Sequence, residues 1–147
     1  MTGGASWAIL GGLENLEAEM KIERVNPDTL AQPLAAYSQV VRAGSLVTTA
    51  GLIALDSDGK VVGEGDVQAQ VRKTLENMVA ALDAVGATLD DVIKTTLYLA
   101  DMGDYAEMNA VYNEFFETAR PARATVQAPL VLPSLLFEMD AIAVVGE

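Results

Sequence analysis

The chain has 147 residues, of which 51% are hydrophobic, and its 21 acidic and 9 basic residues give a net charge of −12. This length fits one domain, and the negative charge argues against a nucleic-acid partner because it repels phosphate. Since the sequence has no histidine and no cysteine, it excludes Ser-His-Asp triads, thiolate nucleophiles and the usual zinc ligands.

The N-terminal segment Met1–Glu19 differs in composition from the rest of the chain. Apolar residues recur over the first 20 residues with helical spacing, at Trp7, Leu10, Leu13, Leu16 and Met20. Its acidic residues and the lack of a positive leading stretch are unlike a secretory signal, which favours the cytoplasm. No apolar run approaches the roughly 20 residues that cross a bilayer. We interpret the segment as an appended docking helix, either natural or an engineered fusion, that joins residues 20–147 to a partner, a protein compartment or a higher assembly.

The remaining residues predict strands and helices in alternation. Tyr37–Ala43 and Ser45–Ile53 are rich in β-branched residues and flank Gly44, which predicts two strands joined by a tight turn. A turn follows at Asp56–Lys60. The apolar spacing from Asp66 to Val85 predicts a helix with one buried face, formed by Val67, Val71, Leu75, Met78, Val79 and Leu82.

A strand over Val92–Leu99 and a second helix over Asp104–Thr118 come next, followed by strands over Ala124–Ala128 and Leu135–Val145. The aromatic stripe of the second helix is typical of core packing. The predicted order is β-β-α-β-α-β-β, and the fold class is α/β (α+β), a mixed sheet with two helices on one face. The other face would stay apolar unless partner subunits covered it.

Six short motifs occur in an order and spacing that resemble the RidA/YjgF/UK114 (Rid) family over about residues 21–147. They begin at Tyr37, Thr48, Val92, Met108, Arg120 and Glu138, and read YSQ, TTAG, VIKTT, MNAVY, RPARAT and EMDAIA. The resemblance implies a chorismate-mutase-like fold that assembles as a homotrimer with a pocket at each subunit interface. It also implies a cofactor-independent, metal-free deaminase that hydrolyses 2-imino and enamine acids, such as 2-iminopropanoate and 2-aminoacrylate, to 2-oxo acids and ammonia.

The carboxylate-binding arginine of the family falls on Arg123. The residue type supports this role, because a planar guanidinium donates two parallel hydrogen bonds to a carboxylate. Without the motif around it, Arg123 would fit a surface or salt-bridged arginine better than a ligand-binding one. The water-orienting glutamate falls on Glu138, in an otherwise apolar strand. Strand alternation places this side chain either at a pocket wall or in solvent, and burial in a pocket would raise its pKa.

Four further residues match positions that line the family's pocket. Tyr37 and Asn109 match a tyrosine and an asparagine, although a strand-edge core residue and a helix-surface amide are open alternatives. Gly51 matches a position where the backbone approaches substrate, or else is a bulge glycine. Thr125 stands where the family often has cysteine and keeps a polar group there, whereas Ala50 replaces a common pocket serine.

Two other functions fit the same sequence. A non-catalytic module would hold a small carboxylate in the interface pocket, and a trimeric scaffold would use Met1–Glu19 to dock into an assembly. Endoribonuclease activity is disfavoured by the net charge and by the missing histidines.

Overall fold

The computed structural model describes residues 21–146, so the predicted docking helix Met1–Glu19 lies outside the described residues. The elements of the described part follow in chain order: β1 Ile22–Val25, β2 Val40–Ala43, β3 Leu46–Thr49, β4 Leu52–Ile53, α1 Val67–Asp83, β5 Val92–Leu99, α2 Tyr105–Phe116, β6 Ala122–Gln127 and β7 Phe137–Val144. Short 3-10 turns precede β5 and α2. None of the helices in residues 21–146 is long and apolar enough to span a membrane.

All seven strands belong to one mixed sheet, in the order β1-β2-β3-β7-β5-β6, with β4 also paired to β7. The β5–β6 pair is parallel, and helix α2 provides the crossover connection that parallel neighbours need. The other pairs are antiparallel. This is the mixed α+β sheet with two helices that the sequence predicts.

Helix α1 begins where its sequence predicts and ends at Asp83, two residues before the predicted end at Val85. The Asp66 carboxylate accepts a hydrogen bond from the Ala69 amide (3.0 Å) and so caps the first turn. Gly86 stops the helix because it adopts a φ of 78°, which favours glycine. Most of the predicted apolar face is buried, at Val67, Val71, Leu75, Met78 and Leu82. The prediction is wrong for Val79, which is 42% exposed because it lies at the edge of the buried stripe.

The core lies between the helices and one face of the sheet. Alternate residues of β7 point into it, and each large side chain buried there stabilises the fold by about 1.5–3 kcal/mol. The second helix contributes Met108, Val111, Tyr112 and Phe116 to this core. The aromatic stripe is therefore core, as its spacing predicts.

The N-terminal strands differ from the prediction. β1 was not predicted, because its short IERV sequence shows no alternation and all but its last residue are exposed. The predicted strand over Ser45–Ile53 is interrupted at Ala50–Gly51 and forms β3 and β4, both of which pair with β7.

The sheet face opposite the helices, here called the open face, is apolar only in part. At one end it carries Leu46 and, on β7, Ile142 and Val144, which are 50%, 37% and 42% exposed. At the other end Glu138 and Asp140 lie on it, because β7 alternates polar and buried residues. The expectation that this face stays apolar in the absence of partner subunits is therefore wrong at this end.

Candidate active site

Arg123 lies on β6 opposite Thr95 of β5 and points to the helix side of the sheet. Its Nη1 donates to Asn109 Oδ1 and its Nη2 donates to Tyr105 Oη, both at 2.8 Å. The guanidinium has five N–H donors, so its capacity exceeds these two bonds. Helix α2 thus holds the group in one orientation before any ligand arrives.

Two tyrosine rings of α2 flank the same guanidinium. The Arg123 Cζ atom lies 4.8 Å from the ring centroid of Tyr112 and 5.6 Å from that of Tyr105, within cation–π range. The Tyr112 hydroxyl is itself hydrogen-bonded to Thr95 Oγ1 at 2.8 Å. The hydrogen bond with Asn109 and the positive charge of Arg123 lower the pKa of Tyr105.

Thr125 lies two residues beyond Arg123 on the same side of β6, opposite Leu97. Its Oγ1 atom is buried and has no hydrogen-bond partner within residues 21–146. A buried hydroxyl without a partner costs free energy. We call Arg123, Asn109, Tyr105, Tyr112 and Thr125 the arginine half of the site.

Glu138 lies on β7 at the polar end of the open face, beside an open depression of about 550 Å³. The depression is lined by Tyr37, Ser38, Thr48, Gly51, Val131 and Glu138, among others. Burial raises the pKa of Glu138, and the nearby negative charge of Asp140 raises it further. Both effects favour the protonated form of this carboxyl group.

Gly51 makes the position of the Glu138 carboxylate possible. A Cβ atom at residue 51 would overlap Glu138 Oε1. The amide of Ala50 donates to the carbonyl of Gln39 at 2.9 Å, which ties this break between β3 and β4 to the segment that carries Tyr37. We call Tyr37, Gly51 and Glu138 the carboxylate half of the site.

The two halves do not meet within one chain. Arg123 and Glu138 lie on strands separated by β5, about 10 Å apart across the sheet, and on opposite faces of it. Arg123 and Glu138 therefore cannot contact the same small ligand within one chain.

The structure thus groups the six predicted site residues into two sets, with Arg123, Asn109 and Thr125 in one and Tyr37, Gly51 and Glu138 in the other. The prediction missed Tyr105, which contacts Arg123 directly. Its spacing from Asn109 and Tyr112, one and two helical turns along α2, indicates the shared face. Within residues 21–146, no cluster of His, Cys, Asp or Glu is arranged to hold a metal ion.

Comparison with known proteins identifies relatives across most of the chain. Residues 28–145 match the family model described as Endoribonuclease L-PSP. A RutC family protein of Pyrococcus horikoshii is 40% identical over 121 residues, which cover 82% of this chain and 96% of the relative. The protein DfrA of Myxococcus xanthus is 38% identical over 127 residues, covering 85% and 97%.

Solved structures share the fold as well as the sequence. The crystal structure of Escherichia coli TdcF with bound serine is 33% identical, has a TM-score of 0.77, and is matched over 84% of this chain and 99% of its own. The YjgF gene product of E. coli is 32% identical with a TM-score of 0.75, and the match covers 83% and 98%. The chain therefore belongs to the Endoribonuclease L-PSP family, which is the RidA/YjgF family that its motifs resemble.

Proposed function

We propose that this protein is a cofactor-independent deaminase that hydrolyses 2-imino and enamine acids, such as 2-iminopropanoate and its tautomer 2-aminoacrylate, to 2-oxo acids and ammonia. The observation that carries the proposal is the pair of half-sites: a guanidinium already oriented by α2, and a partly buried carboxylate whose pKa is raised. Together they match the two tasks of the reaction, which are to hold an anionic substrate and to activate water.

Arg123 binds the substrate carboxylate. The guanidinium is fixed by Asn109 and by the two tyrosine rings, so little rotamer entropy is lost when the ligand binds. Bidentate contact with a carboxylate sets both the position and the plane of the substrate. The imine carbon is thereby held in one place relative to the attacking water.

Glu138 accepts a proton from water as the water oxygen bonds to the imine carbon. The substrate reacts as its iminium, so the electron pair of the C=N π bond moves to a nitrogen that already carries two protons and gives a neutral carbinolamine. Glu138, now protonated, then gives its proton to nitrogen, and the C–N bond breaks as the hydroxyl oxygen forms the carbonyl of the 2-oxo acid. The hydroxyl proton leaves with ammonia as ammonium. The carboxyl gains and loses one proton in each cycle, so it needs a proton affinity near neutrality.

We propose further that the protein is a homotrimer in which the arginine half of one copy faces the carboxylate half of its neighbour. The separation of the halves within one chain supports this arrangement. The exposed apolar side chains of Leu46, Ile142 and Val144 support it too, since a subunit that covers them removes apolar surface from water.

A non-catalytic carboxylate-binding module is the second candidate. It is favoured by TdcF, a relative whose structure contains bound serine, because an amino acid resembles the substrate in its carboxylate but has no imine to hydrolyse. Ribonuclease activity, which the family description names, is disfavoured by the net charge of −12.

The test is the rate at which the full chain converts freshly generated 2-iminopropanoate to the 2-oxo acid, measured against the spontaneous reaction. Acceleration that saturates with substrate supports the deaminase. Saturable binding of a small 2-oxo acid without acceleration would contradict it and support the binding module.

A further inference from the structure

A second carboxylate lies beside Glu138 on the open face. Along β7, Phe137, Met139 and Ala141 are buried, while Glu138 and Asp140 point to the other side. Residues two apart on a strand are separated by about 7 Å. At this distance one negative charge disfavours ionisation of the other carboxyl group.

Tyr98 of β5 holds Asp140 in place. It lies directly opposite Glu138 in the β5–β7 register, and its hydroxyl donates diagonally to Asp140 Oδ2 at 2.8 Å. This hydrogen bond is the main cause of a raised pKa for Tyr98, so the hydroxyl keeps its proton and stays a donor at neutral pH. The Asp140 carboxylate therefore has a fixed position relative to Glu138.

The other groups of the same chain around Glu138 offset the negative charge of Asp140 only weakly. Its neighbour on β4 is Ile53, and Tyr37 is a second tyrosine at the depression. Lys94 of β5 points to the same face but lies opposite Ile142, four residues from Glu138 along β7. That separation is about 13 Å, longer than the Debye length of about 8 Å at physiological ionic strength. Within one chain, Asp140 is thus the charged residue that acts on Glu138.

We propose that Asp140, held by the Tyr98 hydroxyl on the same face of the sheet, is a positioning residue whose negative charge beside Glu138 fits that carboxyl group to deliver a proton in the reaction. The inference rests on the proposed deaminase function for its catalytic meaning, but the coupling between the two carboxyl groups is measurable without activity. Burial is the larger cause of the raised pKa of Glu138 and Asp140 the smaller. Removing the charge of Asp140 should consequently remove part of the shift.

The test is a carboxyl ¹³C NMR titration of the full chain labelled at glutamate, with Glu138 assigned through Glu138→Gln. In Asp140→Asn the midpoint of Glu138 should move to lower pH, and in Asp140→Glu, which keeps the charge, most of the shift should return. Tyr98→Phe should give a smaller move in the same direction, and it carries the test should Asp140→Asn fail to fold. Asp83→Asn is the matched control, since it removes one negative charge from the end of α1 in the helix layer.

The acid limb of the pH–rate profile should move in parallel, toward lower pH in Asp140→Asn and not in Asp83→Asn. A Glu138 midpoint that is the same in Asp140→Asn, Tyr98→Phe and the wild type would overturn the inference. A shifted midpoint in a chain that hydrolyses no imine would support the coupling and contradict the proposed function, so the two failures are distinguishable.

Discussion

The arginine half and the carboxylate half of the site differ in how their central side chain is held. Arg123 is fixed by two hydrogen bonds and two aromatic rings, all from one helix. Glu138 lies beside an open depression, in space that a glycine leaves free. Fixed geometry suits a group that must orient a ligand, whereas a raised pKa suits a group that must exchange protons.

The largest expected effect comes from a substitution in the arginine half. Arg123→Ala removes the charge-assisted contact with the substrate carboxylate and should lower kcat/KM by roughly a thousandfold. Steady-state kinetics with 2-iminopropanoate measure this. Arg123→Lys should also be poor, because an ammonium cannot reproduce the bidentate geometry.

Thermal unfolding is the control for both variants, since they should remain folded and of unchanged size. If Arg123→Ala keeps most of its activity, Arg123 is a structural side chain packed on α2 and the assignment is wrong.

The next largest effect on activity is expected from a substitution in the carboxylate half. Glu138→Gln should keep carboxylate binding but lower kcat by roughly a hundredfold, because an amide accepts no proton from water. Single-turnover rates with saturating substrate separate this change from weaker binding. A turnover equal to that of the wild type would leave Glu138 without a catalytic role.

The same substitution tests the raised pKa through stability. Folded Glu138 binds its proton more tightly than the unfolded chain does. The stability that the protonated Glu138 side chain contributes is therefore fully present at pH values below its pKa in the unfolded chain. It is lost as the pH rises through its pKa in the folded protein. Glu138→Gln should accordingly be more stable than the wild type at neutral pH, with the gap closing in acid, as measured by denaturant unfolding.

A smaller effect is expected where the two central side chains are left intact. Gly51→Ala adds a methyl group that collides with the flexible end of Glu138, so the fold should tolerate it while the carboxylate moves. We expect a loss in kcat of about tenfold or more. Gly59→Ala is not a suitable control because that glycine has a φ of 81°, whereas Gly146→Ala meets open space and should change nothing.

No effect on either half is expected from deleting Met1–Glu19, which we propose to be a docking segment. The truncated chain should keep its size by light scattering and its activity, and lose only binding to a partner or higher assembly. Three copies of this segment on a trimer would bind a partner far more tightly than one copy does, even if each copy binds weakly. A truncated chain that falls apart or is inactive would show that the segment belongs to the domain.

Local patterns in the sequence predicted much of the secondary structure. The strand Val92–Leu99 is confirmed at both ends, because β-branched residues and alternation agree there. The six site residues were named from motifs, and each now has a described environment. Their division into two halves was not readable from the residues, because sheet register and the side of β6 on which Arg123 lies depend on long-range pairing.

Other features escaped prediction for equally physical reasons. Strand β1 has too few residues to show a period. The contact between Asp140 and Tyr98 joins residues 42 apart in sequence, and only the pairing of β5 with β7 brings them together. Tyr105 alone had a local signal, its helical spacing from Asn109.

The central claim is that each active site combines the arginine half of one copy with the carboxylate half of another. Chains carrying Arg123→Ala and chains carrying Glu138→Gln, each inactive alone, should therefore restore activity when co-expressed with different tags and isolated as mixed trimers. Each mixed trimer should give about a third of the wild-type activity per site, because one of its three interfaces pairs two intact halves whichever variant is present twice. Mixed trimers no more active than either variant alone would contradict the claim.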